Sequence, residues 1–245
     1  MRPDGDIERD VKAELRWSPQ CDATDVAVSV KDGVVTLAGF VPGYSDKYEA
    51  ERAAKRIAGV VGVANDIKVC PPSANEKPDP LLAREVIAAV TAQLPRASEQ
   101  IKAIVRHGWV TLEGEVEWQY QREMAEEAVR GLAGIKGISN LIRVKPGRQP
   151  GKIGGTIRHA LERNARIDAN RITAAANGGE VTIEGRACTW HELEEAERTA
   201  WSAPGVSKVE NRVVVSSDCN DNDLGMLWIG NRTCDVDGAP STQGP

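Results

Sequence analysis

The stretch DGVVTLAG at residues 32–39 decides the fold of this chain, because it occurs three times. It returns as HGWVTLEG at 107–114 and as GGEVTIEG at 178–185, at offsets of 75 and then 71 residues. Each copy reads as a tight turn followed by a strand in which the residues alternate in polarity. Self-similarity at a nearly fixed offset indicates repeated structural units, so we expect three copies of one module.

The repeat extends well beyond this stretch and runs without a gap over residues 7–69 of the first copy. Upstream, apolar residues recur at i, i+4 and i+8, which is one stripe of a helix, and in the first copy these are Ile7, Val11 and Leu15. Downstream, an alanine-rich helical segment ends near Gly59, where a helix end favours glycine. A last alternating segment follows. The predicted order of each module is therefore helix, strand, strand, helix, strand.

This order predicts an α+β fold of three tandem modules, each a three-stranded mixed sheet covered by two helices. The chain then divides into modules at 1–70, 79–145 and 152–216, linkers at 71–78 and 146–151, and a tail at 217–245. Both linkers contain proline, which favours stiff spacers. The tail is polar, acidic and rich in glycine, asparagine and aspartate, so we expect it to be disordered.

Charge and hydropathy exclude several classes of protein. The formal net charge is −5, and the tail from Ser216 carries five acidic residues against one basic residue, so the modules are nearly neutral. They lack the basic excess of a nucleic-acid-binding protein and any polybasic run for anionic lipid. No apolar run reaches the roughly 18 residues of a transmembrane helix. The first residues lack the pattern of a signal peptide, so the sequence as written predicts a cytoplasmic protein.

Catalysis and metal binding have little support in the sequence. The histidines His107, His159 and His191 do not show the spacing of metal ligands. The five cysteines form no Cys-x-x-Cys pair, and we expect them to be unpaired, reduced thiols. No nucleophile motif such as Gly-x-Ser-x-Gly is present. We therefore predict no catalytic residue, no metal and no cofactor, and a protein that is not an enzyme.

The repeated glycines and asparagines are better explained by structure than by ligand contact. Gly33 and its equivalents suit the hairpin turns. Gly39 and its equivalents mark a close approach of backbone to a strand. Asn65, Asn140 and Asn211 are predicted to bond to local backbone before the last strand.

The aromatic residues are the strongest candidates for a binding site. The chain has only ten, and four of them lie in the link from the second strand into the second helix, namely Tyr44, Trp118, Tyr120 and Trp190. A helix N-terminus suits phosphate, and aromatic rings suit a lipid headgroup region. Arg122 lies close enough to add a positive charge. These five residues form the predicted site, and local packing at the helix entry is the alternative.

The module resembles the BON domain family. The resemblance rests on the order of its elements, on the repeated DGVVTLAG stretch, and on GVVGVAND at 59–66 with its two counterparts. It implies a bacterial module that binds phospholipid or associates with membranes, has no catalytic residues, and occurs in transport-associated and osmotic-stress proteins. Because such relatives are periplasmic, it also offers the periplasm as the alternative location.

Two classes of function therefore remain open. The first is a phospholipid- or membrane-surface-binding protein of the stress response, which the resemblance implies. The second is a soluble protein-interaction or chaperone-like protein in which three linked modules gain avidity. The predicted partners are accordingly phospholipid headgroups or other proteins, and the nearly neutral modules weaken the first reading.

Overall fold

The computed structural model describes residues 2–19, 22–145, 157, 159–161 and 171–216. The first copy contains α1 (Asp4–Trp17), β1 (Val26–Lys31), β2 (Val34–Val41), α2 (Tyr44–Lys55) and β3 (Gly62–Val69). The second contains α3 (Asp79–Gln93), β4 (Ile101–Arg106), β5 (Trp109–Val116), α4 (Gln119–Arg130) and β6 (Gly137–Val144). In the third, the described part of residues 157–161 is helical and precedes β7 (Ile172–Asn177), β8 (Glu180–Ala187), α5 (Trp190–Trp201) and β9 (Lys208–Val215). Three tandem α+β modules are thus confirmed.

Each module has one mixed sheet whose second strand lies in the middle. β2 pairs antiparallel with β1 and parallel with β3, so the chain must cross over between β2 and β3, and α2 forms that crossover. The other two sheets repeat the pairing in the same register. Leu37 lies opposite Asn65, and the equivalent pairs are Leu112 with Asn140 and Ile183 with Asn211.

The helices cover one face of each sheet and bury its alternate residues. On β2 the side chains of Val35, Leu37 and Val41 are buried, as period-two alternation requires. The predicted stripe on α1 is buried against them. On α2 the buried residues are alanines, so the helix can lie close to the sheet. Each module has its own core cluster, and the outer face of each sheet is left uncovered by these helices.

One repeated glycine marks a tight approach of two backbone segments. Gly39 has a φ of +140°, and a Cβ atom built there would lie 2.0 Å from the carbonyl oxygen of Asp25. Gly114 and Gly185 have the same conformation and the same obstruction. No side chain fits at this position, so the structural explanation of these glycines is confirmed.

An aspartate at the start of the first helix holds the hairpin turn in two modules. The Asp4 carboxylate accepts hydrogen bonds from the backbone N–H of Asp32 and Gly33, at 2.9 and 3.0 Å. Asp79 accepts in the same way from His107 and Gly108. The equivalent position of the third copy is Pro150, which carries no carboxylate.

An asparagine on the third strand fastens the second helix to the sheet in all three modules. In the first, the Asn65 amide donates to Glu51 Oε2 at 3.1 Å and to the Lys47 carbonyl, and its oxygen accepts from the Ile67 N–H. Burial alone would raise the pKa of the Glu51 carboxyl, but hydrogen bonds from Lys55 and Asn65 outweigh it and lower that pKa.

The other two asparagines repeat this arrangement. Asn140 donates to Glu126 and accepts from the Ile142 N–H, and Asn211 donates to Glu197 and accepts from the Val213 N–H. The predicted bonding to local backbone is therefore confirmed. The glutamate partner on the second helix was not foreseen.

Candidate functional site

Two of the predicted aromatic residues lie where one module contacts another. Tyr44 and Trp190 are the first residues of α2 and α5, and both are half-buried. Tyr44 packs against the core cluster of the second module. Trp190 packs against the core of its own module and also against that of the first. Their position at the helix entry was predicted, but their burial is supplied by a neighbouring module.

Electrostatic contacts between the second helices accompany this packing. The Lys55 ammonium of α2 lies 5.4 Å from the centroid of the Trp190 ring and 3.9 Å from a carboxylate oxygen of Glu194 on α5. The Arg130 guanidinium of α4 lies 3.5 Å above the Tyr48 ring of α2. Burial raises the pKa of the Tyr44 hydroxyl, and the negative charge of Glu126 in the second module adds to this increase. The second helix of the first module thus contacts those of both other modules.

The other two predicted aromatic residues are exposed. Trp118 immediately precedes α4, Tyr120 is the second residue of that helix, and their side chains are 39% and 55% exposed. The Gln121 side-chain oxygen accepts hydrogen bonds from the backbone N–H of Glu117 and Trp118, both at 3.0 Å, and this fixes the turn that enters the helix. The two rings therefore lie two residues apart in sequence, on one solvent-facing turn.

Arg122, the fifth predicted residue, is partly used by the fold. Its guanidinium donates to the carbonyl oxygen of Asn140 at 3.4 Å. The equivalent residue of the first module, Lys47, donates to the carbonyl of Ile67 at 2.8 Å. Two modules thus share a hydrogen bond from this position of the second helix to a carbonyl of the third strand, which indicates a structural role. The exposed turn is therefore defined mainly by Trp118 and Tyr120.

Comparison with known proteins places all three modules in one family. The BON domain matches residues 3–71, 79–146 and 151–217, which is most of the chain. The chain belongs to the BON domain family. We call its three modules BON domains 1, 2 and 3 from here on.

Similar proteins were also found among curated sequences and solved structures. Osmotically-inducible protein Y of Escherichia coli K12 is 30% identical over 146 residues, which cover 58% of this chain and 73% of that protein. CdsD, a type III secretion protein of Chlamydia trachomatis, matches with 15% identity over 92% of this chain and 100% of that chain, at a TM-score of 0.25. The periplasmic domain of PrgH matches with 12% identity over 85% of this chain and 100% of that chain, at a TM-score of 0.20.

Several exposed apolar residues were not among the predicted site residues. Trp17, the last residue of α1 in BON domain 1, is 84% exposed. It follows the buried Leu15 by two positions and is therefore off the buried stripe, so its exposure could have been read from the sequence. Phe40 and Trp109 are also exposed, on the outer sheet faces of BON domains 1 and 2, where strand alternation directs them away from the helices.

One prediction about the cysteines was wrong. Cys188, just before α5 of BON domain 3, is disulfide-bonded, whereas we expected only reduced thiols. Cys70 is free and exposed. The irregular spacing of the cysteines hides such a bond, because a disulfide needs proximity in space rather than in sequence.

The described residues offer neither a cluster of metal ligands nor a membrane-spanning helix. Within the described ranges, no three or more histidine, cysteine, aspartate or glutamate side chains are grouped closely enough to hold a metal ion. No helix in the part of the chain that the structure describes is both long and apolar enough to cross a bilayer.

Proposed function

We propose that this chain is a non-enzymatic protein of the osmotic-stress response that binds phospholipid surfaces through BON domain 2. The stress role rests on family membership and on the relationship to osmotically-inducible protein Y. One observation carries the lipid role: Trp118 and Tyr120 are exposed together at the start of α4, whereas Tyr44 and Trp190 are packed between BON domains.

The chemistry of this turn suits the interfacial region of a bilayer. Indole and phenol rings combine an apolar body with a polar atom, and they favour the depth of lipid headgroups. The first turn of α4 adds backbone N–H groups and a partial positive charge that suit a phosphate. Glu117 and Glu123 flank the rings and oppose anionic lipid. Binding to acidic vesicles is therefore expected to be weak and sensitive to salt.

Vesicle co-sedimentation of the full chain tests the proposal. The double substitution Trp118→Ala and Tyr120→Ala should lower the bound fraction on phosphatidylcholine vesicles, with and without phosphatidylglycerol, while the thermal midpoint stays unchanged. Trp17→Ala serves as the control, because it removes a more exposed ring from BON domain 1.

Three results would count against this assignment. If Trp17→Ala abolishes binding and the double variant does not, the site is misplaced. If the double variant loses several degrees of thermal stability and binds normally per folded molecule, the rings serve packing; for a small domain such a shift corresponds to about 1 kcal/mol. If the unchanged chain binds no vesicle at low salt, the lipid role is rejected in favour of the protein-interaction alternative.

A further inference from the structure

The outer sheet face of BON domain 1 carries a shallow apolar groove. Two exposed side chains of β2 stand at its ends, Val34 at 41% and Phe40 at 55% exposure. They are six residues apart on one strand, which corresponds to about 20 Å. The side chains between them are small, so the surface is lower there than at either end. These outward-facing residues are Ala27, Ser29, Thr36, Ala38 and Ala64.

The ends of this apolar groove are positively charged. Lys31 lies opposite Val34 on the neighbouring strand, and Lys68 lies opposite Phe40. Among the residues that the structure describes, neither lysine takes part in an ion pair. Asp66 is the acidic residue of the same face, so the face has a net positive charge. An acidic segment with apolar side chains would therefore complement it.

The C-terminal sequence of the chain contains such a segment. Residues 224–229 read LGMLWI, in which five of the six residues are large and apolar. Residues 217–223, which precede them, contain three aspartates and no basic residue. Six residues of extended chain span about 20 Å, which is close to the separation of Val34 and Phe40. The segment thus matches the apolar groove in length, polarity and charge.

The chain leaves BON domain 3 beside BON domain 1. The backbone N–H of Ser216 donates to the carbonyl of Ala187 at 3.0 Å. Trp190, three residues after Ala187, packs against the core of BON domain 1. The eight residues from Ser216 to residue 224 reach up to about 28 Å, roughly the width of a domain of this size. Tethering at this distance gives a local concentration of about millimolar, so even weak binding suffices.

The outer face of BON domain 3 is nearer in sequence but suits this segment poorly. Its Arg212 pairs with both Glu184 and Glu210. Val214 is the large apolar residue exposed on that face. An apolar segment laid there would remove water from these ion pairs and offer no replacement for it.

We propose that residues 224–229 dock in the apolar groove of BON domain 1, with the aspartates before them next to one of its lysines. A polar segment that cannot form a core of its own can still become ordered when it binds. Docking would cover Val34 and Phe40, the large apolar side chains that this face otherwise exposes. The proposal is independent of the membrane role, which rests on BON domain 2.

NMR spectroscopy of the full chain tests where the segment lies. The ring protons of Trp228 should show nuclear Overhauser contacts with methyl groups of the apolar groove, such as those of Val34 and Ala38. The methyl groups of Ile104 and Leu141, which are exposed on the outer face of BON domain 2, serve as the comparison within the same molecule and should show none.

Cleavage of the full chain by chymotrypsin measures how much of the segment is docked. The rate of cleavage after Trp228, followed by mass spectrometry, reports the fraction that is free. Phe40→Ala should raise this rate about tenfold, because docking then loses a large apolar contact. Trp109→Ala removes a similarly exposed ring, at 50%, from the outer face of BON domain 2 and is the matched control. It should leave the rate unchanged.

Three results would overturn the proposal. Nuclear Overhauser contacts of Trp228 with Ile104 or Leu141, and none with Val34 or Ala38, would assign the segment to BON domain 2. Cleavage that is as fast in the unchanged chain as in a synthetic peptide of residues 217–245 would show that the segment is free. Protection from cleavage that disappears on dilution would show that the segment binds a second copy of the chain.

Discussion

BON domains 2 and 3 differ at the start of the second helix, although the registers of their sheets agree residue by residue. In BON domain 3 the aromatic residue is Trp190, the first residue of α5, and it packs against BON domain 1. In BON domain 2 the equivalent residue is Gln119, and the aromatic residues occupy the positions on either side of it, where they are exposed. A displacement of one residue thus decides whether an aromatic ring joins two domains or faces water.

The outer sheet faces of the same two domains differ as well. In BON domain 2 this face carries Trp109, which lies over Gly137 and donates to Ser139, together with exposed apolar neighbours. In BON domain 3 the same face carries ion pairs, of which Arg212 with Glu184 at 3.0 Å is one. Exposed ion pairs add little stability, so their main effect is to keep this face polar. The outer sheet face of BON domain 2 is therefore the more apolar of the two.

The largest expected effect is the loss of the aromatic ring between domains. Trp190→Ala should lower the free energy of unfolding by about 2 kcal/mol, below the 3–5 kcal/mol of a fully buried tryptophan because this ring is half-buried. Urea unfolding of the full chain measures the change. Trp17→Ala, which removes an exposed ring, should stay within about 0.5 kcal/mol. Equal losses of unfolding free energy in the two variants would contradict the distinction between a ring packed between domains and an exposed ring.

The hydrogen bonds of the third-strand asparagine should contribute equally to the free energy of unfolding of BON domains 2 and 3, since their geometry is the same. Asn140→Ala and Asn211→Ala should each cost about 1–1.5 kcal/mol, because each leaves a partly buried N–H without its acceptor and a glutamate without its donor. Hydrogen exchange of β6 and β9 would report the loss domain by domain. A loss of stability in only one domain would show that equivalent hydrogen bonds contribute unequally in the two copies.

The hairpin of BON domain 2 should respond to acid in a way that BON domain 3 cannot. Hydrogen bonds from the backbone of His107, and then of Gly108, lower the pKa of Asp79 below its usual 3.8. A lowered folded-state pKa contributes stability that is complete above the unfolded value and is lost as the pH falls through the folded value. Asp79→Asn should therefore lower the thermal midpoint at neutral pH, and the gap should close below pH 3.8. A gap that is constant with pH would mean that the carboxylate charge contributes nothing.

The smallest expected effect on stability belongs to the exposed rings of BON domain 2. The double substitution of Trp118 and Tyr120 by alanine should change the free energy of unfolding by no more than about 0.5 kcal/mol. Differential scanning calorimetry beside Trp190→Ala gives the direct contrast. A loss as large as that of Trp190→Ala would show that this turn is part of the core.

The fold could be predicted from the sequence because each of its determinants is local. The stripe at Ile7, Val11 and Leu15, the alternation of each strand and the glycines at the turns all act within one copy. Contacts between copies leave no such pattern. The sequence predicts a solvent-exposed helix face for Tyr48 and Lys55. In the structure, Arg130 of BON domain 2 and Trp190 of BON domain 3 cover this face.

The candidate site shows the same limit. Tyr44, Trp118, Tyr120 and Trp190 follow one pattern in the sequence, yet two are buried by a neighbouring domain and two are not. Nothing within a single repeat distinguishes them. The pocket lined by residues such as Tyr48, Arg130 and Trp201 escaped prediction for the same reason, because these residues lie on three helices that are far apart in sequence.

The contact of Trp190 with Lys55 has a consequence for the symmetry of the chain. Tyr44 of BON domain 1 packs against BON domain 2, and the equivalent residue of BON domain 3, Trp190, packs against BON domain 1. The first residue of the second helix therefore makes a head-to-tail contact in both cases, as it would in a ring of identical subunits. In a ring of identical subunits the outer surfaces would have to be identical as well. Fusion into one polypeptide removes that constraint, so the outer sheet faces of BON domains 2 and 3 can differ while their folds agree.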